Sequence, residues 1–403
     1  MKPYPSYKPT GLKWLPEVPQ GWNCRKFKYL FTERSEKGFP NEPLLAATQN
    51  HGVILKTEYE NRTVTAEKGL EMLKLVKIGD FVISLRSFEG GIELSYRRGI
   101  ISPAYTIIFS NGELKNGYFK WLGKSAVFIQ LLKTCVTGIR EGQNIDYGRL
   151  RVSGVPVPPP DEQKAIVSYL DAKTAKFDRL IKLKEREIEL LQEKKQAVIE
   201  DKVSQLRGQE VPLEFVARPY SNCGFNDLPL LSVYLNLGVV RFDSIKDKRA
   251  NATSEDVSKY QLVKPGDLVM NNQQAWRGSV GVSKLKGIVS PAYVILRLSK
   301  DWDMNFANYY FRSRIMVDEY VKASRGVGSI QRNLIWPILK TSHVHVPRLD
   351  EQRKIAAYLD TETAKTDKAI DAVARQIALL KEYRTRLISD AVTGRIDLRE
   401  AVA

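Results

Sequence analysis

Two segments of this chain place hydrogen-bonding side chains beside glycines, in a pattern suited to contacts with nucleic acid bases. Residues 84–91 are Ser-Leu-Arg-Ser-Phe-Glu-Gly-Gly, and residues 271–278 are Asn-Asn-Gln-Gln-Ala-Trp-Arg-Gly. An arginine can pair in bidentate fashion with guanine, and asparagine or glutamine can do so with adenine. Both segments also fit ordinary polar surface loops. The candidate base-contacting residues are Arg86, Ser87, Phe88, Glu89, Asn271, Asn272, Gln273, Gln274, Trp276 and Arg277.

A second pair of segments, 137–144 and 324–333, combines glycines with arginine, glutamine and asparagine. Glycine lets the backbone approach a phosphate closely, and the neighbouring polar side chains could contact phosphates or bases. A purely structural role for these loops is the alternative. The candidate DNA-contacting residues here are Arg140, Gln143, Asn144, Arg325, Gln331 and Arg332.

The elements that must position these segments occur twice. The tripeptide Asp-Glu-Gln at 161–163 recurs 189 residues later at 350–352, and Pro-Leu-Leu at 43–45 recurs 186 residues later at 229–231. A separation that drifts by single residues indicates two copies of one unit with small insertions in loops. The copies differ in the loops described above, so the chain can present two similar but distinct surfaces to a target in two parts.

Positive charge is concentrated in the two copies. The chain has a formal net charge of +17. Residues 1–160 contain 23 Lys and Arg against 14 Asp and Glu, and residues 208–349 contain 19 against 12. The segments 161–207 and 350–394 are close to neutral, with 11 against 10 and 8 against 8. Basic globular units joined by neutral spacers indicate binding to a polyanion, although charge that serves only solubility is the alternative.

The neutral segments are predicted to be two long helices. Residues 161–206 contain neither glycine nor proline, and the apolar positions in both segments follow a spacing of three and four residues. Each helix would span about 43–45 residues, or roughly 65 Å at 1.5 Å per residue. Because a small domain cannot bury so long a stripe, we expect the helices to pack together as an antiparallel coiled coil. The expected packing residues are Ile181, Ile188, Leu191, Val198, Ile370, Val373, Ile377, Leu380 and Leu387.

The globular copies have the patterns of mixed α/β domains. Strands are predicted at 81–85 and 105–109 and at the equivalent positions 267–270 and 293–296, while 116–133 and 305–322 have aromatic residues at helical spacing. The predicted fold class is α+β, with two pseudo-repeated α/β domains separated and joined by the two long helices.

These features resemble the specificity (S) subunit of bacterial type I restriction–modification systems. The likeness covers almost the whole chain, including Gly-Leu-Lys-Trp-Leu-Pro at 11–16, the Pro-Pro-Pro-Asp-Glu-Gln entry to the first helix and the ending Ala-Val-Thr-Gly at 391–394. The first helix lacks that ending, which leaves its end uncertain. The resemblance implies target-recognition domains at 1–158 and 208–346, a central helical spacer at 159–207 and a C-terminal helical spacer at 347–403.

Further expectations follow from the resemblance. Each recognition domain would recognise one half of an asymmetric bipartite site in double-stranded DNA, while the helices set the spacing and dock two modification (methyltransferase) subunits. Leu180, Leu183 and Leu190 are the expected docking residues. Restriction (motor–nuclease) subunits would join for cleavage. S-adenosylmethionine, ATP and Mg²⁺ would then belong to those partners, and this chain would need no cofactor.

The sequence motifs that could indicate catalysis match known motifs poorly. Gly117–Ser125 resembles a phosphate-binding loop but has five residues between its glycines instead of four. Three scattered cysteines show no metal-binding spacing, and no apolar run is long enough to cross a membrane. We therefore expect a cytoplasmic, non-catalytic chain with neither a metal site nor a membrane partner. The alternative function is a coiled-coil adaptor that does not recognise DNA.

Overall fold

A computed structural model describes most of the chain, namely residues 2–49, 51–59, 69–138, 144–235, 237–244, 256–326 and 332–400. Contacts group the residues into two compact units. The first comprises Met1–Glu185 with Arg375–Ala403, and the second comprises Arg186–Ala374. Each unit therefore includes a globular region and part of both long helices. The predicted boundaries between recognition domains and spacers stay a prediction.

The first unit contains fourteen described strands and five short α-helices. The strands are β1 (Tyr7–Leu12), β2 (Leu15–Pro19), β3 (Asn23–Lys26), β4 (Phe31–Arg34), β5 (Leu45–Thr48), β6 (Gly52–Leu55), β7 (Lys74–Val76), β8 (Phe81–Ile83), β9 (Glu93–Leu94), β10 (Gly99–Ile101), β11 (Thr106–Ser110), β12 (Val136–Thr137), β13 (Asn144–Ile145) and β14 (Gly154–Val157). The helices are α1 (Phe27–Leu30), α2 (Ser87–Gly90), α3 (Asn116–Leu122), α4 (Ala126–Thr134) and α5 (Tyr147–Val152).

An antiparallel sheet in the order β4-β11-β8-β9 forms the centre of the first unit. Strand β8 is entirely apolar and fully buried, and it follows a turn in which Gly79 has φ of 90°. The Asp80 carboxylate accepts a hydrogen bond from the Lys77 amide at 2.8 Å and from Arg34 at 2.8 Å, which satisfies this buried charge. The hydrophobic core includes Trp22, Phe119 and other aromatic residues.

The long helix α6 (Pro160–Ser204) follows. The remaining elements are β15 (Gln209–Pro212), α7 (Leu213–Val216), β16 (Ala217–Pro219), β17 (Leu231–Tyr234), β18 (Gly238–Arg241), β19 (Gln261–Val263), β20 (Asp267–Asn271), β21 (Val280–Val282), β22 (Gly287–Val289), β23 (Tyr293–Leu298), α8 (Met304–Phe311), α9 (Arg314–Lys322), β24 (Ser324–Arg325), β25 (Asn333–Leu334), α10 (Trp336–Leu339), β26 (His343–Val346) and α11 (Leu349–Val392).

The second unit repeats most of the strands of the first unit in the same sheet order. Its central sheet has the order β16-β23-β20-β21, and its two-stranded pairs β15-β26, β17-β18, β19-β22 and β24-β25 match pairs in the first unit. Gly266 and Asp267 reproduce the turn before the buried strand, with Lys264 N donating to Asp267 Oδ2 at 2.8 Å. Among the described residues, the β1–β2 hairpin has no counterpart in the second unit. The fold class and the duplication predicted from sequence are confirmed.

The repeated Asp-Glu-Gln sequence has a structural explanation. Gln163 is buried, and its side chain accepts a hydrogen bond from Lys115 N while donating to the carbonyls of Glu113 and Pro158. Gln352 makes the equivalent three bonds, to Asp303 N and to the carbonyls of Asp301 and Pro347. Each glutamine therefore fastens the first turn of a long helix to the loop that precedes α3 or α8.

The two long helices run antiparallel in each unit. In the first unit, the rings of Phe177 and Tyr383 lie 5.5 Å apart and Arg384 pairs with Asp178 at 3.0 Å. In the second unit, Lys195 pairs with Asp367 at 2.7 Å. Asp178 and Asp367 occupy equivalent positions of the repeat, as do Lys195 and Arg384, so each unit holds the same ion pair with the helices exchanged.

The nine predicted packing residues lie on the covered side of their helices. Ile181, Val373, Ile377 and Leu387 are buried, and the other five are half-buried. Leu387 packs into the core of the first unit with Ile388, Ala391 and Val392. Gly394 follows the helix with φ of 73°, and a Cβ there would clash with Pro19. The end of α11 is thus part of the first unit's core. No helix in the described ranges is long and apolar enough to cross a membrane.

Candidate nucleic-acid interface

The loop between β20 and β21 in the second unit exposes three of its six predicted contact residues. Gln273, Gln274 and Arg277 are exposed. Trp276 is half-buried, and its indole nitrogen donates to Gln273 O at 3.0 Å, which fixes the ring beside the glutamines. Gly278 ends the loop with φ of 91°, a conformation that favours glycine. The loop therefore presents amide and guanidinium donors on a short, well-connected turn.

Two arginines from different loops meet at Trp276. The guanidinium of Arg277 lies 4.7 Å from the centre of the indole ring, and that of Arg332 lies 4.9 Å from it. Arg332 directly precedes β25, so this contact joins the β20–β21 loop to the β24–β25 hairpin. Cations over an aromatic face are attracted by its quadrupole, at about 0.5–1 kcal/mol for each exposed contact. The structure thus brings the two segments predicted from sequence into one basic surface.

The two asparagines of this loop have a connecting role. The Asn272 side chain accepts a hydrogen bond from Leu334 N at 3.0 Å, which again ties the loop to β25. The Asn271 side chain accepts one from Gln273 N at 3.1 Å, which shapes the turn. Both are half-buried, and Arg325 in β24 is exposed.

The equivalent loop of the first unit differs in what it exposes. Arg86 is exposed and donates to Glu89 at 2.5 Å, and this hydrogen bond lowers the pKa of Glu89. Ser87 is buried and its hydroxyl accepts the amide of Ser84 at 2.9 Å, while Phe88 packs against the core. Ser87 and Phe88 therefore support the loop from inside, because α2 turns them inward, and only Arg86 and Glu89 of this set face solvent.

The second predicted segment of the first unit is a hairpin of β12 and β13. Thr137 pairs with Asn144 across the hairpin, and the exposed Asn144 side chain accepts the Thr137 hydroxyl at 3.1 Å. Arg140, Gln143 and Gln331, which were predicted to contact DNA, lie outside the described residues.

Sequence reasoning missed one element of this surface in each unit. The turn of the β5–β6 hairpin lies beside the first loop, where Gln49 donates to Glu89 at 3.2 Å and packs on Gly90. The turn of the β17–β18 hairpin lies beside the second loop, with Leu235 next to Gly278. The sequence difference that marks these turns was visible when the two copies were aligned. Gln-Asn-His at 49–51 aligns with Leu-Asn-Leu at 235–237, between segments that are otherwise similar.

A cation holds each hairpin turn in place. In the first unit Lys124 donates to Gln49 O at 3.2 Å and forms an ion pair with Glu93, whose pKa is raised by burial in spite of the lysine. In the second unit the equivalent residue, Arg312, donates to Leu235 O at 3.1 Å, and burial lowers its pKa. Glu93 and Gly281 occupy equivalent positions in the two units. Glu93 pairs with Val82 in the first unit, and Gly281 pairs with Val269, the equivalent of Val82, in the second. The second unit therefore has a glycine where the first unit has the carboxylate that pairs with Lys124.

Within the described ranges, no cluster of three or more His, Cys, Asp or Glu residues has a geometry that could hold a metal ion. His343 and His345 lie on β26, which pairs with β15.

Comparisons with known proteins concern the fold. Neither a scan against protein-family models nor a search of curated proteins found a match. Among solved structures, a chain from a study of complex assembly and conformational transition of the type I R-M system is 16% identical, with a TM-score of 0.68, over 94% of this chain and 99% of that chain. The HsdS subunit from Thermoanaerobacter tengcongensis is 18% identical, with a TM-score of 0.50, over 94% and 98%.

These matches define the class of fold. The chain has the architecture of type I restriction–modification specificity subunits along nearly its whole length. The resemblance drawn from the repeated helix entries and the helix ending is therefore confirmed at the level of the fold.

Proposed function

We propose that this chain is the DNA sequence-recognition subunit of a type I restriction–modification complex. One observation above all supports the proposal: two units with the same sheet order present different side chains at the same loop position. The first loop exposes Arg86 and Glu89, whereas the second exposes Gln273, Gln274 and Arg277. A duplicated scaffold with divergent polar loops suits recognition of two different DNA half-sites.

The chemistry of the loops agrees with this function. Arginine suits guanine and glutamine suits adenine in the major groove, and the excess of Lys and Arg supplies contacts to phosphates. Each unit would recognise one half of an asymmetric bipartite site in double-stranded DNA, and the helices would set the spacing between the halves.

The long helices would also dock the partner subunits. Leu180, Leu183 and Leu190 are 40%, 59% and 50% exposed on α6, so their side chains are accessible to a partner. We propose that two modification subunits bind this surface and that restriction subunits join them. S-adenosylmethionine, ATP and Mg²⁺ would bind to those partners, so the chain itself would be non-catalytic. Replacing Leu183 and Leu190 with Asp should abolish co-purification with a modification subunit, and retained assembly would refute this docking surface.

The decisive experiment maps DNA methylation by the complex that contains this chain. Arg277→Ala and Gln274→Ala should relax the sequence preference in one half of the site only, and affinity for duplex DNA should fall steeply with salt concentration. Arg348→Ala, at an exposed arginine outside the loop, is the matched control and should leave the sequence preference unchanged. If neither loop variant altered affinity or sequence preference, the loop would not be part of the DNA-contacting surface. Binding with no salt dependence would instead favour an adaptor that does not recognise DNA.

A further inference from the structure

A hairpin turn adjoins each of the two candidate loops, and the two turns differ in the side chains that they expose. Leu235 and Leu237 are 49% and 56% exposed at the turn between β17 and β18. A Cβ placed on Gly278 would lie 3.5 Å from Leu235 Cδ1, so this turn directly adjoins the end of the β20–β21 loop. The Ser279 hydroxyl donates to Val233 O at 3.1 Å and fastens the hairpin to the strand that follows the loop.

Hydrogen bonds fasten the residues on either side of this turn to the rest of the unit. Four backbone-paired positions join β17 to β18, from Leu231 with Arg241 to Tyr234 with Gly238. The Arg312 side chain adds a further hydrogen bond by donating to Leu235 O. Leu235 and Leu237 therefore lie next to anchored strands, and their exposed surface is available for a specific apolar contact.

The surroundings of the two leucines are positively charged. Arg312 lies directly beneath the turn, and Arg277 and Arg332 flank Trp276 on the adjoining loop. In the first unit, by contrast, the equivalent turn exposes Gln49 and His51, and its cation is neutralised by Glu93. An apolar tip inside a basic surface fits a polyanion that also carries apolar groups. Duplex DNA is such a ligand, because the thymine C5-methyl is exposed in the major groove.

We propose that Leu235 and Leu237 determine sequence specificity in the second unit by packing against thymine C5-methyl groups in the major groove. Arg312 is a positioning residue, which orients the turn through the Leu235 carbonyl. The first unit, with Gln49 and His51 at the same place, recognises its half-site by hydrogen bonds there and has no such dependence on methyl groups. This inference deepens the proposed function and rests on it.

The test begins with selection of a preferred duplex from a random library by the full chain, in the complex with which it purifies. Each thymine of the selected site is then replaced by uracil, which removes only the C5-methyl group. We expect affinity to fall about fourfold for each contacted methyl, equivalent to ~0.8 kcal/mol, at one or two thymines in one half of the site.

Leu235→Ala with Leu237→Ala should bind the thymine duplex more weakly and should no longer distinguish thymine from uracil. Ile315→Ala removes a similarly exposed aliphatic side chain of the same unit and should keep the full distinction. Arg312→Gln, which still offers a donor to the Leu235 carbonyl, should retain more of the distinction than Arg312→Ala.

The outcomes separate this inference from the function on which it rests. If no preferred sequence emerges, the proposed function fails and the inference fails with it. If a bipartite site emerges but uracil has no effect in either half, or if the double leucine variant keeps the wild-type distinction, only the inference is overturned. Loss of a protein subunit from the complex, with the thymine distinction intact, would likewise overturn it by assigning the leucines to a protein contact.

Discussion

The buried glutamine at the start of each long helix is expected to be a major determinant of stability. Gln163 is 1% exposed and makes three hydrogen bonds, of 2.8 Å to Lys115 N, 3.1 Å to Glu113 O and 2.9 Å to Pro158 O. Replacement by leucine leaves three backbone groups without these partners. A buried polar group left unsatisfied costs about 1–3 kcal/mol, and the apolar side chain offsets part of this. We expect Gln163→Leu to lower the free energy of unfolding by about 3 kcal/mol.

Two matched controls isolate the effect. Gln376→Leu changes an exposed glutamine on the long-helix segment of the same unit and should cost well under 1 kcal/mol. Gln352→Leu should reproduce the loss in the second unit, with exposed Gln192 as its control. Denaturant unfolding gives the size of each change, and hydrogen exchange at the neighbouring loop shows where the structure loosens. If Gln163→Leu unfolded at the same denaturant concentration as Gln376→Leu, the assigned role of the three hydrogen bonds would be refuted.

Three further predictions test other parts of the structure. Lys195→Asp should destabilise the helix pair and Asp367→Lys should restore it, with a coupling of about 0.2–1 kcal/mol in a double-mutant cycle; additive losses would contradict the ion pair. Gly394→Ala should cost about 2–4 kcal/mol in thermal or denaturant unfolding, because its left-handed backbone and its close contact with a proline both oppose a side chain. Gly112→Ala, with similar φ but open space, should cost only about 1–2 kcal/mol, and equal losses would exclude the contact. Trp276→Ala should weaken DNA binding by about 1–2 kcal/mol in fluorescence anisotropy through loss of the two arginine contacts, whereas unchanged binding would remove this cluster from the interface.

The long helices were predictable almost to the residue. Prolines precede the first of them, glycine and proline are missing from 161–206, and the helix spans Pro160–Ser204. The region 116–133, which has aromatic residues at helical spacing, forms two helices. Gly123 and Ser125 divide it, and the Ser125 side chain caps the second helix by accepting the amide of Phe128. A capping serine inside an apolar segment is a local signal that competes with the periodic one.

The candidate interface was predictable only in part. Comparison of the two copies identified both loops, because repeats that share a scaffold differ where their surfaces differ. It could not distinguish exposed Arg86 from buried Ser87, since the short helix α2 decides which side chain points inward. Nor did it indicate that Arg277 and Arg332 would share one indole ring, because these residues are far apart in the chain.

The sequence by itself determined the duplication, the two helices and the basic character of both copies. Helix periodicity, caps and charge are local properties, which can be read directly from the order of the residues. Only the tertiary structure decided that the last turns of α11 complete the core of the first unit and that a hairpin turn adjoins each candidate loop. Those contacts join residues separated by tens to hundreds of positions. Their geometry is fixed by packing and by hydrogen bonds such as that of Tyr118 to Val392, which no local pattern specifies.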